Sequence, residues 1–464
     1  MPTDPAVMTA TELCEHYRSK ALSPVEATEA ALARIERLNP ELNAFLLVDG
    51  DGALAAARDS EARWSRGEPL GLVDGVPTSV KDVLLTSGWP TLRGSRAVQP
   101  AQDWDEDAPG VARVREQGAV LLGKTTTPEF GWKGVTDSPL TGITRNPWNP
   151  QKTPGGSSGG AAAAVATGMG ALAFGTDGGG SIRIPAGFTG IFGLKPSFGR
   201  VPAYPQSPFG SVAHVGPMTR SVADAALMLT VISGPDPRDP YALPPEDRDY
   251  RTRLDAGIEG LRVAFSPDLG GQPVDPEVAA LVERAARRFE DLGATLELAE
   301  PAVPDCGEII RTHWFAGAGY VVAGLSEAQK AVMDPGLLQI AAQGAEIGLQ
   351  DYLAAGRDRD AWGETMLAFH QDWDLLLTPS LPIPAFDAGL EMPPDQGERR
   401  WVDWTPFTYP FNLTGQPAAS IPCGLTEGGL PVGLQIVGPR FADHLVLRAA
   451  AAFEAAAPFP LPEI

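Results

Sequence analysis

Along this chain, stretches with apolar residues at helical spacing alternate with short continuous apolar runs of strand length. After Ser23, the positions Val25, Thr28, Leu32, Ile35 and Leu38 fall on one helical face, and Asn39-Pro40 is expected to stop that helix. Ser23 with Glu26, and Thr9 with Glu12, have the spacing of capping boxes, and Pro24 falls in the first turn, where a missing N–H leaves no acceptor unpaired. The pattern then predicts a strand over 43–48, a helix over 52–66, a strand-like run over 71–83, a helix over 107–117 and a strand over 119–122. A segment of small helix formers, 161–168, precedes an apolar run, 171–174, that suits a buried strand. Further on come a helix over 221–232, a strand over 261–265, an amphipathic helix over 276–292 and a strand over 294–298. Helices dominate 305–370; strands over 374–379, 418–422 and 433–438 and a helix over 443–456 close the chain. Such alternation indicates an α/β protein with a mixed or largely parallel sheet, and neither a repeat nor a linker divides it.

Composition removes several functions from consideration. With 464 residues, 43% of them hydrophobic and 20% charged, the chain can bury a large core. Its 36 basic residues against 58 acidic ones give a net charge of −22, the wrong sign for a nucleic-acid partner or an anionic membrane surface. The start of the chain lacks the charged and apolar regions of a signal peptide, and the apolar stretch 161–175 is too short and too rich in glycine and alanine to span a bilayer. A soluble, cytoplasmic protein is the expectation. Cys14, Cys306 and Cys423 have no disulfide or metal spacing, and His16, His214, His313, His370 and His444 form no metal-binding pattern, so no metal and no cofactor are expected.

The chemistry concentrates between residues 154 and 193. Two serine-bearing glycine clusters, Gly155-Gly156-Ser157-Ser158-Gly159-Gly160 and Gly178-Gly179-Gly180-Ser181, flank one predicted helix–strand unit. Glycine lets the backbone approach other groups closely, which places hydroxyls and free N–H groups where a ligand can meet them. A serine nucleophile needs a base, and no histidine lies near either cluster in sequence, His214 being the nearest. Lysine can serve if burial leaves it neutral. Lys81, at the end of an apolar run, is the best placed, the plain alternative being an ion pair with its neighbour Asp82. A third motif is set aside: Gly118 to Thr125 matches GxxxxGK[ST], but its intervening Ala-Val-Leu-Leu belongs in a buried strand rather than a phosphate-binding loop.

These runs resemble the amidase signature family, whose members cleave amides with a Ser–cis-Ser–Lys triad. The resemblance covers nearly the whole chain. It is carried by Gly75-Val-Pro-Thr-Ser-Val-Lys81-Asp82, Gly123-Lys-Thr-Thr-Thr-Pro-Glu129-Phe130, Thr144-Arg-Asn-Pro-Trp148 and the two glycine clusters, with Gly193-Leu-Lys-Pro-Ser197 and Asn412-Leu-Thr-Gly-Gln-Pro417 beyond them. It implies the amidase-signature fold: a single large domain over 1–464 with a twisted mixed sheet covered by helices on both faces. The signature core would occupy about 70–220, and about 370–464 would return to the same sheet.

Carried onto this sequence, the resemblance makes Ser181 the nucleophile, Ser157 the bridging serine with a cis peptide, and Lys81 the base. The N–H groups of Gly178, Gly179, Gly180 and Ser181 would bind the oxyanion, while Ser158, Asp177 and Arg183 would hold the two loops. The segment Phe130-Gly-Trp132 aligns with one that lines the substrate channel in the family, so Trp132 would touch substrate. The loop 201–214 and the Trp314/Phe315 patch are candidates for the mouth, the plain alternative being that such aromatics belong to the core. The implied substrates are small-molecule amides, esters and carbamates (urethanes), with a homodimer as one option for assembly. Two rivals stand beside this reading. One is the glutamine-hydrolysing subunit of a tRNA-dependent amidotransferase, of the same family. Against it, no charged motif here can be assigned to a glutamine α-carboxylate, and 340–366 does not resemble that subunit. The other is a non-catalytic scaffold, which the intact Lys81, Ser157 and Ser181 oppose.

Overall fold

A computed structural model describes residues 4–394 and 400–463; residues 1–3, 395–399 and 464 lie outside it. Thirteen short strands follow one another along these residues. They are β1 Phe45–Val48, β2 Pro77–Lys81, β3 Val120–Thr125, β4 Asp137–Ser138, β5 Gly142–Ile143, β6 Leu172–Asp177 and β7 Phe192–Lys195, then β8 His214–Thr219, β9 Arg262–Phe265, β10 Thr295–Leu298, β11 Leu375–Pro379, β12 Ala418–Leu425 and β13 Pro431–Val437. Eleven of them form one sheet in the order β1-β3-β2-β6-β8-β7-β12-β13-β11-β9-β10, and β4 pairs with β5 as a separate ribbon. The sheet is mixed. β2 runs parallel to β3 and β6, and β9 parallel to β10 and β11, while the pairs from β6 through β8, β7, β12 and β13 to β11 are antiparallel.

Both faces of the sheet are covered, and β6 shows how its sequence achieves this. Successive strand residues point to opposite faces. Leu172 and Phe174 join the cluster that includes helix Val222–Ile232, whereas Ala173 joins the alanines of helix Gly159–Ala166. The small side chains of that helix let it lie close against β2, β6 and β8, which brings its amino end to the carboxyl ends of β2 and β6. Helices Pro335–Ala345 and Leu349–Asp372 both pack on helix Cys306–Ala323 and build a second core.

Both predicted capping boxes are present. The helix begun at Pro24 does not stop at Asn39-Pro40: it runs to Leu42 and ends on Asn43 in the left-handed conformation. Asn39 explains the extension, because its carboxamide oxygen accepts from the N–H groups of Ala44 and Phe45 and ties the last turn to β1. The run 71–83 supplies only the five-residue β2. Sequence patterning misses helix Arg183–Thr189 and strand β8; the first contains Pro185 and Gly187 and the second Gly216 and Pro217, residues whose local preference is overruled by burial on all sides. The GxxxxGK[ST] match is indeed a buried strand, β3, and its Lys124 is spent on Leu84 O and Thr91 Oγ1, both at 2.7 Å. Among the described residues no helix is long and apolar enough to cross a membrane.

Candidate active site

β2 lies between β3 and β6, and its last residue, Lys81, is fully buried. Strand alternation turns the next residue away: Asp82 accepts from the amides of Leu92 and Gly94 at 3.2 Å and faces Lys124 at 3.6 Å. The ion pair with Asp82 is therefore not what Lys81 makes. Its partners are three hydroxyls, Ser157 Oγ at 2.7 Å, Thr176 Oγ1 at 2.8 Å and Ser158 Oγ at 2.9 Å. A neutral amine suits this shell, since it can donate to two hydroxyls and accept from the third. Burial holds the Lys81 pKa well below the ordinary 10.5, with the Asp177 carboxylate opposing the shift in part.

The first glycine cluster leads from Pro154 into helix Gly159–Ala166, and its Gly156–Ser157 peptide is cis. The second follows β6. Its entry residue, Asp177, is fully buried and paired with the equally buried Arg183, whose Nη2 lies 2.9 Å from Oδ1 and whose Nε lies 3.0 Å from Oδ2. Arg183 also donates to Asn412 Oδ1, Gln435 Oε1 and Thr408 O, so every face of the guanidinium is engaged. Arg183 holds the Asp177 carboxyl far below its usual range despite the burial. Ser158 N–H donates to Ser181 O at 3.1 Å and thereby joins the two loops.

This frame corrects one expectation. The N–H of Gly180 is taken by Asp177 Oδ1 at 2.7 Å and is not free for a substrate oxygen. Among the described residues the amides of Gly178, Gly179 and Ser181 have no acceptor. Gly180 itself is needed for its shape: φ is +127°, and a Cβ there would meet Thr408 Oγ1 at 2.4 Å. Ser181 remains 5% exposed, more than Ser157 at 2% or Lys81 at 0%. Its hydroxyl and that of Ser157 are not hydrogen-bonded to each other among the described residues.

Removing the Arg183 guanidinium would strand Asp177 as a buried charge. Arg183→Ala is expected to destabilise the protein by about 3–5 kcal/mol. Urea denaturation of the purified variant checks this, and an unchanged midpoint would show that the pair does not brace the loop.

Residues 26–447 match the family model described as Amidase. The chain belongs to the amidase family. Among its relatives, an acylamidase of Rhodococcus erythropolis is 38% identical over 97% of this chain and 96% of its own length. A glutamyl-tRNA(Gln) amidotransferase component from Myxococcus xanthus is also 38% identical, over 96% of each chain. The crystal structure of a bacterial aryl acylamidase of the amidase signature family superposes with a TM-score of 0.91 at 34% identity, covering 97% of this chain and 96% of that one. The protein is thus an amidase-signature enzyme acting on amides, and the expected fold, with helices on both faces of a mixed sheet, is the observed one.

Within the amidase, Trp132 does not line a surface. It is fully buried, its indole N–H donating to Asp334 Oδ2 at 3.2 Å and its carbonyl accepting from Trp314 Nε1 at 2.9 Å. The residue before it, Gly131, is the one that reaches the site: a Cβ there would stand 3.2 Å from Ser157 Oγ. Trp314 and Phe315 are likewise core residues; the Trp314 indole stacks on Phe209 of the loop 201–214 with centroids 3.9 Å apart and packs against Gly178. His214 touches neither serine. Its Nδ1 faces the carbonyls of Val212 and Asp177 and its Nε2 faces Lys195. Sequence reasoning misses Thr176, Thr408 and Gln435, and it picks out Asn412 only as part of a motif, without its role. Thr176 could have been found, as a hydroxyl at the end of the strand beside that of Lys81, but nothing local marks residues more than 200 positions away as partners of Arg183.

Proposed function

We propose that this amidase hydrolyses amides by acyl transfer to Ser181, with Ser157 as bridge and Lys81 as base. The observation that carries the reading is the fully buried Lys81 amine, which among the described residues has hydroxyls as its only hydrogen-bond partners and no carboxylate within ion-pairing distance to hold a proton on it. Neutral Lys81 takes the proton of Ser157 as Ser157 takes that of Ser181. Ser181 Oγ then bonds to the substrate carbonyl carbon, and the carbonyl oxygen becomes an oxyanion received by the free amides of Gly178, Gly179 and Ser181. One such donor is worth about 3–4 kcal/mol in the transition state. The C–N bond breaks as the proton returns through Ser157 to the leaving nitrogen. Water, deprotonated through the same relay, releases the acid and restores Ser181. The hydrogen bond between the Ser157 and Ser181 hydroxyls is the contact that substrate binding must complete. Esters and carbamates fit the same steps, since only the leaving atom changes.

The Myxococcus xanthus amidotransferase subunit is as similar in identity as the acylamidase, so the deciding experiment offers the purified lone chain neutral anilides, esters, carbamates and glutamine. Turnover of anilides without any partner subunit, with no glutaminase activity, is the expected outcome. Glutamine hydrolysis without anilide hydrolysis would overturn the reading.

A further inference from the structure

Lys81 is fully buried behind Ser157, and the turn Phe130–Gly131 comes against that serine: a Cβ on Gly131 would stand 3.2 Å from Ser157 Oγ. Both residues are left-handed, with φ 51° and 71°, a conformation that phenylalanine does not adopt of its own accord. Something outside the turn holds it there. Within the turn Phe130 N–H donates to Arg93 O at 2.7 Å, and the residues on either side of it are tied to one residue more than 200 positions away. Asp334 N–H donates to Glu129 Oε2 at 2.6 Å. Asp334 Oδ2 accepts from Trp132 Nε1 at 3.2 Å and from Lys133 Nζ at 3.0 Å, and its Oδ1 caps the helix Pro335–Ala345 by accepting from Gly336 N–H at 2.8 Å. The turn that faces Ser157 is thus gripped at Glu129, Trp132 and Lys133 by the start of a helix in the second core.

We propose that Asp334 is a positioning residue: by pinning the segment Glu129–Lys133 it presses Gly131 against Ser157 and keeps water away from Lys81. Charged groups on the surrounding elements cannot substitute for this exclusion. Asp82, on the strand of Lys81, is turned to Lys124 of β3. Asp177, at the end of β6, is paired with Arg183 and acts in the opposite direction, favouring the ammonium form of Lys81, and Lys195 of β7 is spent on the carbonyl of Gln416. Glu129 bonds Ser95 and the Asp334 amide, and Lys133 bonds Asp137 and Asp334. The loop 155–158 and helix Gly159–Ala166 carry no titratable group apart from serine hydroxyls. Burial is what keeps the Lys81 amine deprotonated, so loosening the turn should let water in and restore part of the affinity of Lys81 for its proton.

The inference rests on Lys81 being the base, and two readouts keep the two ideas separable. In Asp334→Ala the rise of kcat/KM with pH is expected to move alkaline by about one unit, a tenfold loss of activity below it, because activity there is proportional to the unprotonated fraction. Hydrogen exchange is expected to quicken over 129–133 and at the Ser158 amide. Trp132→Phe, which removes a single tether, should shift both in the same direction by less, and it serves if Asp334→Ala does not fold. Leu281→Ala, a core truncation in the remote helix Pro276–Asp291, should lower the melting temperature without moving the pH profile. Unchanged exchange over 129–133 would overturn the anchor, and quickened exchange with an unmoved profile would overturn the seal. If the wild-type rise survived in Lys81→Met, the base assignment would fail instead, and exchange alone would decide the anchoring.

Discussion

Ser181→Ala is expected to abolish amide turnover while leaving the fold intact. The variant removes the atom that forms the acyl bond, and when residues act as one unit the loss of the nucleophile costs on the order of 10^5-fold or more in kcat. Stability should hardly change. The Ser181 hydroxyl has no hydrogen-bond partner among the described residues, so no buried group is left unsatisfied, and the bond from Ser158 N–H to Ser181 O belongs to the backbone. Steady-state rates on an anilide, together with a melting curve, check both halves. Turnover within tenfold of wild type would exclude Ser181 as nucleophile; turnover lost together with a collapsed melting temperature would leave its role undecided between chemistry and fold, which Ser181→Cys, with a nucleophile retained, then resolves.

The second large effect is expected at Lys81. Lys81→Met keeps an unbranched chain as far as Cε, with sulfur in place of the Cδ methylene, and removes the amine, and kcat/KM should fall by on the order of 10^4-fold or more. Neither neighbour can take over. Asp82 is turned to Lys124 and to the amides of Leu92 and Gly94. His214 is sequestered between Val212, Asp177 and Lys195, its pKa driven well below 6.5 by burial and by neighbouring Lys195. Ser157, Ser158 and Thr176 would lose their common partner, but Ser158 retains Thr176 O at 3.2 Å, so the loop keeps part of its bonding. A Lys81→Met enzyme with near-normal kcat/KM and an intact fold would contradict the relay at its origin.

The strands and helices that the hydrophobic pattern predicts are those whose burial is decided by their own residues. The closing helix, 443–456, and the strand 374–379 follow from local periodicity almost to the residue. Where the environment decides, the pattern is silent. Helix Arg183–Thr189 exists because Arg183 is fastened to Asp177, Asn412 and Gln435, not because Pro185 and Gly187 favour it. The candidate site divides the same way. Lys81, Ser157 and Ser181 stand out because glycine clusters and a lysine in an apolar run are unusual in one chain. Trp132 is misplaced by sequence reasoning because an aromatic residue beside a site motif has the same sequence appearance whether it lines a channel or, as here, anchors a turn from behind. Gly180 is misassigned because nothing in a run of three glycines says which amide an aspartate three residues earlier will occupy. Asp334 carries no local signal at all.

If a buried neutral lysine starts the reaction, the dependence of kcat/KM on pH for a neutral anilide must report that lysine. A lysine base works only when unprotonated. Its pKa in the folded protein lies below 10.5 because burial penalises the ammonium form, so activity must be lost as pH falls through that depressed value and must rise towards a plateau above it. This rise is expected in the wild-type enzyme and should disappear from the residual activity of Lys81→Met. A rise that persists unaltered in Lys81→Met would show that another group, and not Lys81, is the base.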